Sequence, residues 1–236
     1  KDIKDKCIRH VSDAFAEDPL RVLRVCRFKA KFPDFTIAPK TLQLMRTMAA
    51  QQEFHDLSKH RLWQELYKCL LYPNPSLFFQ TLVEIDVMPA TLLCKINEPC
   101  QYASCALTQF SLLLHAPALL EWIKQFFSPP NEYIFLAQKV HEHFSTYKNL
   151  ENANGEEVLK LFQSLKALSN DKWLTLFLET QKILTQKDHS HILRQILAAI
   201  KPISQKDFPT QKPGPELGDK IHKKRIAIIY QFLGHH

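Results

Sequence analysis

Apolar residues recur along most of this chain at intervals of three and four positions, the spacing that places them on one face of an α-helix. Alternation with a period of two, the pattern of a half-buried strand, nowhere extends beyond a few residues. Glycine, which disfavours helices, is scarce at 4 of 236 residues. The sequence therefore predicts an all-α fold with no sheet of three or more strands.

The most informative predicted helix covers residues 18–32. Pro19 suits its first turn, where a missing N–H costs nothing, and Asp18 is a natural N-cap. The expected apolar stripe consists of Leu20, Leu23, Phe28 and Phe32, and it is broadened by Val22, Val25 and Cys26. Three arginines spaced three residues apart are expected near one another on one side: Arg21, Arg24 and Arg27.

The charge balance favours an anionic partner. Lys and Arg number 31 against 24 Asp and Glu, a formal net charge of +7, which suits RNA, although surplus lysine is also typical of a solvated surface. The 6 cysteines contain no Cys-x-x-Cys pair, and the sequence has neither a signal peptide nor an apolar run of membrane length. These features predict reduced thiols, a cytoplasmic location and no membrane partner.

Asp18 and Arg21, at positions i and i+3 of the predicted helix, have two readings. They form a simple ion pair within the helix, or they face a ligand together. A carboxylate accepts hydrogen bonds and a guanidinium donates them, so the two side by side match an amino donor next to a ring-nitrogen acceptor. Cytosine and adenine show that order on their Watson–Crick edges, whereas guanine and uracil show the reverse. The second reading predicts acceptance of C and A and strong rejection of G and U.

The stretch EDPLRVLRVCRF, preceded by IRHVSDAF, resembles the nucleobase-recognition motif of class II tRNA nucleotidyltransferases, the CCA-adding enzymes. The resemblance is strong to about residue 90 and looser afterwards. It implies that Asp18 and Arg21 read the base, that Glu17 orients them, and that Arg24 is a further nucleotide contact.

Residues 57–71 resemble a second segment of that family, a helix with Ser58 as its N-cap. Arg61 and Glu65 are four positions apart, so an ion pair within the helix is the simpler reading. The resemblance implies a different task, which is to brace the base-reading helix.

The family's catalytic head carries a glycine-rich turn and an Asp-x-Asp pair that holds two magnesium ions. This sequence contains neither feature, and two-metal nucleotidyl transfer requires such carboxylates. The resemblance therefore implies a fragment without catalytic residues, whose full-length parent uses magnesium bound by the head. Its partners would be the tRNA 3′ end, CTP and ATP.

Many bacterial relatives carry a His-Asp phosphohydrolase domain after this point, and the segment CALTQFSLLLHAP resembles the helix that ends in its His-Asp pair. Ala116 stands where the Asp belongs, beside His115, and the connection from Met88 to Cys105 is short for the usual upstream His helix. A histidine without a carboxylate neighbour is a poor metal site. We therefore expect a degenerate helical region without a metal or phosphohydrolase activity.

The C-terminal segment is predicted to form a basic helix after a Gly-x-x-hydrophobic-Gly turn. Its positive cluster consists of Lys220, Lys223, Lys224 and Arg225. The cluster is either a solvated helix face or a sequence-independent contact to the tRNA backbone, and the sequence does not separate the two.

The resemblance organises the chain into a neck at residues 1–90, with the base-reading and RNA-binding helices, and a helical body and tail at 91–236. The function it implies is addition of C, C and A to tRNA 3′ ends without a nucleic-acid template. Two alternatives stay open: a poly(A) polymerase of the same superfamily and a non-catalytic helical RNA-binding module.

Overall fold

The computed structural model of the chain describes residues 2–51, 53–96, 103–208 and 214–234. Regular structure within these ranges is almost entirely helical. The β structure of the described residues is one parallel pairing of two short strands, Cys7–Ile8 (β1) with Thr36–Ile37 (β2). The predicted all-α fold is confirmed for this part of the chain.

Thirteen α-helices lie within the described ranges. Those up to the middle of the chain are α1 (Leu20–Lys31), α2 (Pro39–Ala50), α3 (Lys59–Leu70), α4 (Ser76–Glu84), α5 (Ala90–Leu93), α6 (Ala106–Leu114), α7 (Pro117–Phe127) and α8 (Asn131–Glu142). Those that follow are α9 (Phe144–Lys148), α10 (Gly155–Ser164), α11 (Lys172–Thr185), α12 (Ser190–Ile200) and α13 (Pro215–Leu233). Short 3-10 helices are formed by Asp13–Glu17, Glu53–Asp56, Leu150–Asn152 and Gln205–Asp207.

The chain forms two compact units, residues 1–137 and 138–236. This division lies beyond the predicted boundary at residue 90, because α6 and α7 share the hydrophobic core of α1, α3 and α4. Trp63 of α3, for example, makes edge-on ring contacts with Phe110 at 6.1 Å and Tyr133 at 4.7 Å. The division into neck, body and tail by role stays a prediction.

The buried face of α1 matches the predicted stripe only in part. Val22, Leu23, Cys26 and Ala30 are completely buried against α3 and α4, whereas Phe32 is 38% exposed. Because each helical residue turns by about 100°, Phe32, nine positions after Leu23, points about 180° away from it. Only part of the predicted stripe therefore faces the core.

The start of α3 confirms the predicted N-cap. Ser58 precedes the helix, and its Oγ accepts a hydrogen bond from the backbone N–H of Arg61 at 3.4 Å. Leu62 and Leu66 are buried against the core. This orientation directs Arg61 and Glu65 toward α1.

In the second unit, α10 and α13 pack closely. A Cβ at Gly155 would come within 2.9 Å of Ile226 Cγ2 and 3.1 Å of the Tyr230 ring. A larger residue at this position would force the helices apart. Asn154 and Glu157 form a capping box that fixes the start of α10.

Two sequence-based expectations fall partly outside the described residues, namely the thiol of Cys100 and the short connection before α6. The cysteines that the structure describes are all free. Burial raises the pKa of the Cys26 and Cys69 thiols, so both behave as inert core residues.

Candidate nucleotide-binding site

The predicted base-reading residues surround the first turn of α1. The hydrogen-bonded helix begins at Leu20, with Pro19 as its N-cap, one position later than predicted. Asp18 has extended backbone angles and its Oδ1 accepts from the N–H of Leu20 at 3.1 Å, while its carbonyl accepts from the N–H of Arg21 at 2.9 Å. Asp18 therefore still satisfies N–H groups at the start of α1.

The second carboxylate oxygen of Asp18 pairs with a different helix. Its Oδ2 accepts a hydrogen bond from Arg61 Nη2 of α3 at 2.8 Å. Among the described residues, no ion pair joins Asp18 to Arg21, the partner that the simple intrahelical reading requires. The Asp18 side chain is about one third exposed at 32%, so solvent and ligands can still reach it.

Arg21 is held by the main chain before α1. Its Nη1 donates to the carbonyl oxygen of Ala14, in the 3-10 helix Asp13–Glu17, and the side chain is half-buried. Arg24 and Glu17 are exposed, and neither has a hydrogen-bond or ion-pair partner among the residues that the structure describes. The orienting role predicted for Glu17 thus has no contact in support and stays a prediction.

Arg27 lies in the core rather than beside the other two arginines. Its Nε pairs with Glu65 at 2.6 Å, its Nη1 donates to the Tyr72 hydroxyl at 3.0 Å, and both charged side chains are almost completely buried. Each step of three residues along an α-helix falls about 60° short of a full turn. Arg27, two such steps after Arg21, is therefore rotated from it by about 120° around the helix axis. The prediction that all three arginines share one side is therefore wrong.

Glu65 changes the pKa of the buried Arg27 guanidinium. Burial by itself would lower the pKa of Arg27, but the hydrogen bond and negative charge of Glu65, with Tyr72, raise it above its usual value. Lys68 adds a second, longer contact to Glu65 at 3.4 Å. The guanidinium therefore stays charged inside the core.

These contacts change the reading of Arg61 and Glu65. In the described part of the chain, the ion pair expected between Arg61 and Glu65 is replaced by one from Glu65 to Arg27 of α1 and one from Arg61 to Asp18, two residues before α1. Both residues brace the predicted base-reading helix, as the family resemblance implies. Their spacing of four positions showed that they share a face of α3. Their ion-pair partners, however, lie 38 and 43 residues away in the sequence, and only tertiary packing brings them together.

The arrangement leaves hydrogen-bonding capacity at the start of α1. A carboxylate offers about four lone-pair positions and a guanidinium five N–H donors, of which Asp18 and Arg21 use only a part here. The sequence alone did not indicate that Arg61 and the Ala14 carbonyl hold these two groups. The site can present an acceptor beside a donor to a planar polar edge.

The predicted degenerate phosphohydrolase region has its histidine at the end of α6. His115 Nδ1 lies 3.2 Å from the carbonyl oxygen of Ser111, with Ala116 next to it. His141 is exposed, whereas His143 is buried with Nε2 2.7 Å from Ser164 Oγ, so the two side chains point in different directions. In the described ranges, no three His, Cys, Asp or Glu side chains converge as metal ligands.

The basic cluster of α13 divides into two pairs of residues. Lys224 pairs with Asp207 at 3.2 Å, and Arg225 donates to the carbonyl oxygen of Ile203 at 2.9 Å. Lys220 and Lys223 are exposed and have no ion pair within the described chain. Half of the cluster therefore serves packing within the second unit, and half faces solvent.

One family model matches this chain at residues 34–92, and it is described as "Probable RNA and SrmB-binding site of polymerase A". The matched range runs from before β2 into α5 and includes all of α3. It therefore contains Arg61 and Glu65, which brace α1.

Curated relatives match over a longer range. The CCA-adding enzyme of Coxiella burnetii (strain RSA 331 / Henzerling II) is 29% identical over 243 residues, which cover 97% of this chain and 65% of that protein. The CCA-adding enzyme of Actinobacillus succinogenes is 47% identical over 112 residues, 45% of this chain and 28% of that protein. The chain thus spans less than two thirds of the length of these relatives.

Solved structures share the fold. The apo form I of a CCA-adding enzyme superposes with a TM-score of 0.60 at 18% identity, covering 97% of this chain and 59% of that one. The Thermotoga maritima CCA-adding enzyme complexed with tRNA gives 0.53 at 18% identity, covering 99% and 62%. None of the described helices is long and apolar enough to cross a membrane.

The motif at the start of α1, its bracing by α3, the sequence relatives and the shared helical fold all agree. The chain is thus similar to CCA-adding enzymes in sequence over 97% of its length and shares their helical fold, and its motif at the start of α1 resembles that of class II tRNA nucleotidyltransferases.

Proposed function

We propose that this chain supplies nucleobase selection and tRNA contacts to a CCA-adding enzyme, which adds C, C and A to tRNA 3′ ends from CTP and ATP. The names of the relatives support this reaction. One solved structure with the same fold is a complex with CTP and another a complex with ATP. A cytoplasmic location belongs to the same proposal.

The observation that carries the proposal is the way in which Asp18 and Arg21 are held. Asp18 pairs with Arg61 and Arg21 donates to Ala14, so the two neither neutralise each other nor collapse into an intrahelical pair. A carboxylate acceptor and a guanidinium donor therefore stay available at one helix start. Cytosine and adenine present the complementary amino donor and ring-nitrogen acceptor, whereas a mismatched base leaves polar groups unpaired.

The chemical step is assigned to no residue of this chain. The family's magnesium ions need a set of carboxylates, and the described residues hold no group of three potential ligands that fits them. In the proposed division of labour, Asp18 and Arg21 select the base, Arg24 contacts the nucleotide, and the carboxylates that hold magnesium are supplied outside these 236 residues.

The test measures incorporation of all four nucleotides into tRNA by the enzyme that contains this chain, with Asp18→Ala and Arg21→Ala. Each change removes a charge-assisted hydrogen bond to the base, so catalytic efficiency with CTP and ATP should fall roughly ten- to a hundredfold, or about 1.5–3 kcal/mol. Discrimination against UTP and GTP should weaken as well.

Asp13→Ala is the matched control, because Asp13 is an exposed acid of the preceding 3-10 helix. It should leave all four rates unchanged. Wild-type rates and continued rejection of UTP in both Asp18→Ala and Arg21→Ala would show that these residues only support the helix start.

A second part of the proposal concerns the basic cluster of α13, where Lys220 and Lys223 contact the tRNA backbone. Their exposure and lack of ion-pair partners in the described chain support this assignment. Lys224 and Arg225 are already bound to Asp207 and Ile203, so we assign them to holding α13 in place. Such backbone contacts are independent of sequence and sensitive to salt.

Poly(A) addition is the second candidate, because the family model at residues 34–92 is named for polymerase A. Both reactions use a site that accepts adenine, so the start of α1 does not separate them. The products do: with CTP and ATP together, the CCA-adding activity stops after one A, whereas a poly(A) polymerase extends the tail and ignores CTP. A non-catalytic RNA-binding module would give no product at all.

A further inference from the structure

An open cavity of about 480 Å³ lies in the first unit, on the part of the molecule where α2 ends, α3 begins and α7 ends. Its lining includes Phe54, Lys59, Asp86, Trp122, Gln125 and Phe126. The volume falls within the usual range of small-ligand sites. None of these side chains takes part in the nucleotide-binding site at the start of α1.

The cavity has an aromatic wall. Trp122 and Phe126 of α7 stack with nearly parallel rings, 5.1 Å between centroids and 11° between planes, and both are only half-buried. The Phe54 ring lies 6.0 Å from the Phe126 ring, centroid to centroid, at a tilt of 54°. Half-exposed stacked rings of this kind offer a surface on which a planar base can stack.

A cation and an anion stand at the same cavity. Lys59 Nζ donates to the carbonyl oxygens of Gln125 at 3.0 Å and Phe126 at 3.2 Å, which leaves one of its three N–H donors for a ligand. Asp86 follows α4 in a left-handed conformation with φ 59° and is exposed. Lys59 suits a phosphate and Asp86 suits an amino group on a base.

The location in the sequence points to the same ligand. Most of the lining, including Phe54, Lys59 and Asp86, falls within residues 34–92, the range matched by the model described as an RNA-binding site. We infer that this cavity binds an unpaired nucleotide of the RNA substrate, with the base stacked on Trp122 and the phosphate beside Lys59. The inference rests on the proposed function, since it names a second place at which that RNA is held.

The experiment measures binding of fluorescein-labelled hexaadenylate to the chain by fluorescence polarisation, beside an abasic ribose-phosphate oligomer of the same length. Trp122→Leu removes the stacking surface. Ala50→Phe adds a ring at an exposed position of the lining without removing a contact, so it stays informative if Trp122→Leu fails to fold. Each variant should weaken hexaadenylate binding about tenfold and leave the abasic oligomer unaffected.

Trp173→Leu is the matched control, because Trp173 is a half-buried tryptophan of α11 in the other unit, and its binding should equal wild type. Two results would overturn the inference: equal binding of both oligomers by wild type, or unchanged hexaadenylate binding in both cavity variants. The latter is also the result expected if the cavity docks a protein segment.

Failure of this inference is separable from failure of the proposed function. Unchanged binding in both cavity variants, together with altered nucleotide choice in Asp18→Ala, removes only the cavity from the RNA path. Both cavity variants could lose hexaadenylate binding while Asp18→Ala keeps the wild-type choice of nucleotide. This result would support RNA binding at the cavity and reject base selection at the start of α1.

Discussion

Replacing Glu65 with Met should destabilise the first unit strongly, because it leaves the buried guanidinium of Arg27 without a counter-charge. Both side chains of the pair are nearly inaccessible, at 11% and 5% exposure, and their atoms lie 2.6 Å apart. Breaking a buried pair by removing one partner costs about 3–5 kcal/mol. Arg27 keeps its bond to the Tyr72 hydroxyl, so we expect a value near the lower end, about 3 kcal/mol.

The double variant Arg27→Met/Glu65→Met tests the cause. With both charges removed, the site holds two apolar side chains of similar length, and the free energy of unfolding should return to within about 1 kcal/mol of wild type. Arg61→Met provides the exposed comparison, because Arg61 lies on the same helix as Glu65 and pairs with Asp18 just before α1. Its bond to Asp18 is 47% and 32% exposed, so its loss should cost no more than about 1 kcal/mol.

The assay is urea unfolding followed by tryptophan fluorescence in a Trp173→Phe background. Trp63 and Trp122 then report on the unit that contains α1 and α3. The reasoning fails if Glu65→Met costs less than about 1 kcal/mol, or if the double variant is as unstable as the single one. Either result would mean that the buried pair is not what holds α1 to α3.

Three further predictions concern the second unit. Lys220→Gln with Lys223→Gln should lower RNA affinity and reduce the slope of log affinity against log salt by about one per lysine, without loss of stability. Neutralising Lys224 and Arg225 should instead lower the midpoint of thermal unfolding. Equal effects of both pairs would refute the division of the α13 cluster into RNA-contacting and structural residues. Burial lowers the pKa of His143 below its usual 6.5, so its contribution to stability is present above pH 6.5 and is lost as pH falls below that value. The urea midpoints at about pH 7 and pH 5 should therefore lie closer together in His143→Gln than in wild type. An undiminished pH dependence in this variant would contradict the assignment of the effect to His143. Gly155→Ala should cost about 1–3 kcal/mol in urea unfolding because its Cβ meets α13, and a neutral effect would show that α13 can shift.

The sequence predicted the helical fold and the start of α1 well, because both depend on local signals. Proline and aspartate define a helix start within a few residues, and Ser58 does the same for α3. The assignment of the apolar stripe failed at Phe32, where the spacing from Leu23 looked helical but the angle around the helix did not match. Periodicity finds an amphipathic helix more reliably than it finds the edge of its buried face.

Partners across the fold could not be predicted in the same way. A local ion pair was the simplest prediction for Arg61 and Glu65, yet in the described structure Glu65 pairs with Arg27 of α1 and Arg61 with Asp18 just before α1. Tertiary packing determines which side of a helix faces another, and single-sequence patterns contain no information on that choice. The same holds for Lys224 and Arg225, which looked equivalent to Lys220 and Lys223 until α13 was placed near Asp207 and Ile203.

The two ion pairs that join α3 to α1 and to Asp18 before it also have an evolutionary consequence. A substitution in α3 at a residue that does not contact a nucleotide can still move Asp18 and Arg21, because the ion pairs from α3 help to fix the position of α1. The segment matched as RNA-binding and the helix proposed to read the base therefore cannot diverge independently. Exchanging residues 34–92 between relatives should carry nucleotide preference with it, even though the motif at Asp18 stays unchanged.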